Sequence, residues 1–153
     1  MLINIKNVIA IEGGTLPIDE SITSFNLEDC NIDDICAAGN IINNAGRVEL
    51  NLSITFTASS FCARCNMPVK MPLTTEINEP VSSEWIDNTS LKLTEVVTSE
   101  ISLQLPLRFL CSSDCQGLCD CCGANLNNEK CSCDTEIIDE RLLKLKQLLE
   151  KED

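Results

Sequence analysis

Eight cysteines fall in four close pairs: Cys62 with Cys65, Cys111 with Cys115, Cys119 with Cys122, and Cys131 with Cys133. Two thiolates with a two-residue spacer can converge on one tetrahedral ion while the backbone between them reverses. In the third pair Gly123 follows the second sulfur and permits the positive φ that turns backbone N–H groups toward the sulfurs, which gives the run the form of a zinc knuckle. Cys131-Ser132-Cys133 comes soon after, near enough to close a compact local site with little loop entropy. The spacing predicts two structural Zn²⁺ ions, one held by Cys62, Cys65, Cys111 and Cys115, the other by Cys119, Cys122, Cys131 and Cys133. A competing assignment exchanges the middle pairs and joins Cys62 and Cys65 to Cys119 and Cys122.

The chain has no histidine, so Ser–His and Cys–His nucleophilic pairs are excluded, and neither a phosphate loop nor a dinucleotide fingerprint is present. Catalytic zinc keeps one coordination position open, whereas four thiolates close it. A structural, non-catalytic metal role is therefore expected. All-cysteine sites also accept iron, but two local tetrahedral sites without a redox motif favour zinc. Cys30, Cys36 and Cys121 remain, too few to complete another sulfur site, and read as small, partly buried side chains. Cys121 adjoins Cys122 and could replace it as a ligand or oxidise first. Arg64, between the first two cysteines, is a candidate partner contact or thiolate donor, or a solvent-facing turn residue.

These pairs need elements to position them. Val48, Leu50, Leu52, Ile54 and Phe56 alternate with polar residues, the pattern of a strand with one buried face. Ile35, Ala37, Gly39 and Ile41 alternate before it, across an Asn43-Asn44-Ala45-Gly46 turn, and Met67, Val69, Met71 and Leu73 alternate after it. Residues 1–80 are thus expected to be mostly β, built on a three-stranded antiparallel meander with Cys62 and Cys65 at its second turn. A short hairpin is expected from Leu2–Ile9 to Leu16 and Ile18, around the turn Glu12-Gly13-Gly14-Thr15. Residues 21–34 and 79–90 read as polar connections. Leu93, Val96, Val97, Ile101 and Leu105 recur at helical spacing before Pro106, predicting a helix over 93–105 packed on the sheet. Residues 111–133 have no periodicity that could bury a face, so metal must organise them. A C-terminal helix over 139–151 carries a leucine stripe behind Asp139 as N-cap. The whole, 1–153, reads as a single α+β domain.

Formal charge is −13, from 24 acidic and 11 basic residues, and two Zn²⁺ bound by eight thiolates change it to about −17. Such a surface repels phosphate backbones and suits a basic protein partner. No apolar run approaches a membrane span, and the N-terminus lacks signal-peptide form; the expected location is cytoplasmic, where clustered cysteines mean metal more often than disulfides. Neither a membrane nor a small-molecule substrate is expected as a partner.

The order of these motifs resembles the YceD family, the large ribosomal RNA subunit accumulation proteins of bacteria and plastids. The resemblance rests on Cys62-Ala63-Arg64-Cys65, on Leu103-Gln104-Leu105-Pro106 leading into Cys111 through Cys119, on Cys122-Gly123-Ala124-Asn125-Leu126-Asn127, on Cys131-Ser132-Cys133, and on the closing Ile138-Asp139-Glu140-Arg141-Leu142. The chain departs from the family where Asp120 replaces a common proline, and where Lys92 stands in place of an acidic helix-opening residue. The resemblance implies a role in accumulation of large-subunit ribosomal RNA and in ribosome biogenesis. The partner that fits these residues is either a basic large-subunit ribosomal protein, met by the acidic surface, or precursor ribosomal RNA, met by the zinc knuckle and Arg64. A thiol redox or zinc sensor is a third class of function compatible with the cysteines.

Overall fold

The computed structural model describes residues 1–27 and 30–133. In chain order the elements are β1 (Ile3–Asn4), α1 (Lys6–Ala10), β2 (Thr15–Ile22), β3 (Phe25–Leu27), β4 (Cys30–Asn44), β5 (Arg47–Phe61), β6 (Pro68–Pro80), a 3₁₀ turn (Ser83–Trp85), β7 (Ile86–Asp87), β8 (Ser90–Leu91) and α2 (Leu93–Gln104). Every strand pairing among them is antiparallel. The larger sheet runs β2-β4-β5-β6 with β3 also paired to β4; the smaller runs β1-β8-β7. The helix expected over 139–151 lies outside the described residues.

The alternation in β5 works as a half-buried strand should: Leu50, Leu52, Ile54, Phe56 and Ala58 form one buried row. Each large member of such a row contributes roughly 1.5–3 kcal/mol of transfer free energy. At the turn between β4 and β5, Asn44 pairs with Arg47, while Ala45 (φ 51°) and Gly46 (φ 86°) are both left-handed. Those are the angles that a two-residue type I′ hairpin requires.

In β4 the buried row changes phase. Cys30 and Ile32 are buried at even positions, then Ile35, Ala37, Ile41 and Asn43 at odd ones. Asp33 pairs with Thr57 and Cys36 with Thr55, so Asp34 and Ile35 together oppose Phe56. This is a β-bulge, with Asp34 at φ 53°. The extra residue moves every later side chain to the other face. Most of the described part of 21–34 is therefore not a solvated connection, as its acidic composition suggests, but strand: the end of β2, all of β3 and the start of β4.

The hairpin expected at the N-terminus does not form. Asn4 Oδ1 accepts the Lys6 N–H at 2.9 Å and turns the chain, so Ile5 and Val8 reach the core at helical spacing. The turn around Gly13 is present, but it joins α1 to β2, which pairs with β4. Within 79–90 the expected connection also holds structure, because Ile3–Asn4 pair with Ser90–Leu91 and Leu91 is fully buried.

Helix α2 buries Leu93, Val96, Val97 and Ile101. Lys92 is its N-cap residue and provides no side-chain cap; it pairs instead with Glu95 at 3.5 Å. On β6, the Thr75 hydroxyl donates to Glu100 Oε1 of this helix at 2.8 Å.

At Gly39 the strands approach closely. A Cβ there would overlap the Asn51 carbonyl oxygen and lie 2.9 Å from Leu52 Cα. Backbone cannot yield as a side-chain tip can, so Gly39→Ala should cost about 2 kcal/mol. A lowered urea midpoint would show this; an unchanged midpoint would mean that β4 and β5 separate freely at this point.

The chain divides into two compact units: Met1–Ala63 with Met67–Cys111, and Arg64–Asn66 with the residues from Ser112 on. The first contains all the named helices and strands and the apolar core. Among described residues 112–133 of the second there is only the isolated bridge Leu118–Asn125, and the buried side chains are those of Cys115 and Cys119.

Candidate metal centres

The first cysteine pair sits at the turn between β5 and β6. Cys62 N donates to Met67 O at 2.8 Å, closing the turn, and Asn66 takes φ 55°. Ala63 N donates to Phe109 O at 2.8 Å, which anchors the stretch leading to Cys111. Cys62 and Cys65 are buried. With Cys111 and Cys115 they form one group, whose four sulfurs all lie within 4.8 Å of one another. Four thiolates about 2.3 Å from a tetrahedral ion stand about 3.8 Å apart, a separation within the limit that these sulfurs meet, so the donor set suits such an ion.

Cys119, Cys122, Cys131 and Cys133 form a second group within the same 4.8 Å limit. Here Cys119 N donates to Ala124 O and Gly123 N to Cys119 O, both at 2.8 Å. Gly123 has φ 74°, the positive angle expected just past the second knuckle sulfur. Of the two pairings that spacing allows, the structure brings together Cys62 and Cys65 with Cys111 and Cys115, not with Cys119 and Cys122.

Cys119 ionises readily: the backbone N–H groups of Cys122 and Cys121, and the Cys131 thiol, donate to its sulfur and lower its pKa to about 6. Cys133 is pushed up to about 12, first by its hydrogen bond to Cys122 and then by desolvation and nearby Cys119. Cys131 is also raised. The Cys133 N–H lowers it, but hydrogen bonding to Cys119, desolvation and the charges of Cys119 and Cys122 together prevail. Closely spaced sulfurs thus retain protons that a cation must displace, and metal binding at this group weakens as pH falls.

Arg64 is exposed, and its Nη1 donates to the carbonyl oxygens of Cys115 at 2.8 Å and Ser113 at 3.5 Å. It fastens the loop that carries Cys115 to the turn between Cys62 and Cys65. Cys30 lies in the sheet core, where burial raises its pKa against the lowering effect of the Ser59 N–H, so it remains a thiol. Cys36 is exposed rather than partly buried, with its sulfur 4.0 Å from the Ser21 hydroxyl. Cys121 is exposed beside the knuckle.

Sequence reasoning missed Asn127, whose Nδ2 donates to Cys115 Sγ at 3.3 Å. The available signal was the pair of asparagines in Asn125-Leu126-Asn127, polar residues repeated in a segment with no apolar face.

Residues 79–149 match the model of the family described as large ribosomal RNA subunit accumulation protein YceD. This part of the chain is similar to the YceD family. A stretch of 36 residues is 44% identical to the large ribosomal RNA subunit accumulation protein YCED homolog 1, chloroplastic, of Arabidopsis thaliana. That stretch is 24% of this chain and spans 11% of the relative's length. No solved structure matches the chain. The YceD segment contains the cysteines from Cys111 to Cys133, while Cys62 and Cys65 precede it. No helix among the described residues is long and apolar enough to cross a membrane.

Proposed function

We propose that the chain is a non-catalytic, zinc-stabilised factor that supports accumulation of large-subunit ribosomal RNA by binding a basic large-subunit ribosomal protein in the cytoplasm. The YceD match over 79–149 carries this reading, because it covers the cysteine-rich run and supplies the connection to ribosomal RNA. Two all-sulfur groups support structural zinc, which would close each coordination sphere and supply folding energy rather than a reactive position. The charge of −13 supports a basic protein over a phosphate backbone as the direct contact.

Protein purified without added metal should contain two zinc ions per chain by elemental analysis. As bait at low salt it should retain a basic large-subunit ribosomal protein, with retention falling as ionic strength rises. Recovery of precursor ribosomal RNA by crosslinking in intact cells, with no ribosomal protein retained at low salt, would replace this reading with direct RNA binding.

A further inference from the structure

The run from Gln116 to Asn127 leaves Cys115 of one sulfur group, carries Cys119 and Cys122 of the other, and returns to Cys115. Asn127 makes the return contact: its Nδ2 donates to Cys115 Sγ at 3.3 Å, while its Oδ1 accepts from Gln116 N at 2.8 Å. Asn125 Oδ1 fixes that orientation by accepting from Asn127 N at 3.1 Å and from Asn127 Nδ2 at 2.7 Å. The limbs of the run are joined by Leu126 N donating to Gly117 O at 3.0 Å and by the Leu118–Asn125 bridge. At the far end lie the knuckle bonds of Cys119 and Gly123. One hairpin therefore has the Cys119–Cys122 knuckle as its tip and a hold on Cys115 at its base.

An N–H donated to a ligand sulfur orients it and tunes its charge, and loss of such an outer partner typically weakens metal binding about 10- to 100-fold. Here the donor's position depends on a hairpin whose tip belongs to the other sulfur group. We infer that Asn127 is a positioning residue that couples the two metal centres, so that an ion held by Cys119, Cys122, Cys131 and Cys133 slows loss of the ion held through Cys115. This inference rests on the two-metal reading above. By linkage the coupling is reciprocal in binding free energy.

The full chain, loaded with zinc, is challenged with a chelator and an alkylating reagent, and modification of Cys62 and Cys65 is followed peptide by peptide by mass spectrometry. Cys131→Ser with Cys133→Ser opens the knuckle group; Asn127→Asp keeps every cysteine and the acceptor for Gln116 N, but removes the donor to Cys115. Each change should speed alkylation of Cys62 and Cys65 on the order of 10-fold. Combined, they should add little further, because both act through one contact. Unchanged alkylation in Asn127→Asp, or a combined effect equal to the product of the separate ones, overturns the coupling. An unaltered protein carrying fewer than two ions overturns the two-metal reading itself, a result separate from two ions lost independently.

Discussion

Withdrawal of metal should unfold residues 112–133 while leaving the larger sheet intact. The sheet has an apolar core of its own, built on the buried rows of β4 and β5 and on Ile5, Leu91, Leu93, Val97 and Ile101. In 112–133 the buried side chains are cysteines, so no apolar burial there offsets the entropy of ordering the chain, roughly 1–2 kcal/mol per residue. Structural zinc sites contribute about 10 kcal/mol or more each, enough to decide whether such a segment is ordered. Hydrogen exchange under reducing conditions, with and without chelator, would measure this. The amides of Cys119, Gly123 and Leu126, each bonded to a carbonyl within the segment, should lose protection on chelation, whereas amides of β5 should keep theirs. Equal protection in both states would show that hydrogen bonds alone hold the segment.

Asn43→Asp should destabilise the sheet-bearing unit by about 4 kcal/mol. Asn43 is 3% exposed, and its Nδ2 donates to Val8 O at 2.9 Å and to Ile9 O and Ile11 O at 3.2 Å each. These are carbonyls at the C-terminal end of α1, where a helix has no internal donors to offer them. A short helix lacking a C-terminal glycine cap is thus closed by an amide from a neighbouring strand. Aspartate has nearly the same shape and keeps the oxygen that accepts from Gly46 N at 2.9 Å, but it would aim its other carboxylate oxygen at three carbonyl oxygens and place a buried charge where no cation offsets it. Thermal melts should show a loss of about 10 °C for a chain of this size. A variant melting within about 2 °C of the unaltered protein would mean that α1 is held by its apolar residues alone.

The residues also show what a sequence discloses and what it conceals. The grouping of the cysteines was legible because ligand chemistry is carried by residue type: a close thiol pair is visible whatever surrounds it. Strand β5 and helix α2 were legible because each keeps one periodicity from end to end. Strand β4 was half hidden, since the bulge at Asp34 and Ile35 breaks its alternation into two runs of opposite phase, and the acidic residues beside the bulge made the first run look like a loop. Helix α1 was misread because five residues are too few to separate a period of 3.6 from one of 2; what bends the chain there is Asn4, and what receives its end is Asn43, far away in sequence. Asn127 was overlooked as a sulfur partner because a side-chain hydrogen bond leaves no periodic trace, only the repeated asparagines at 125 and 127.

The order in which Cys62, Cys65, Cys111 and Cys115 occur along the chain has a consequence for biosynthesis. A growing polypeptide exposes the first two while the rest of the sheet is still being made, and cannot complete the set until Cys115 has been added, after β6 and α2. An ion caught early has only half its ligands, so full coordination comes after the main sheet strands have been synthesised. A metal ion held by this set would therefore fasten a sheet whose strands are already made, not serve as a nucleus around which translation builds them.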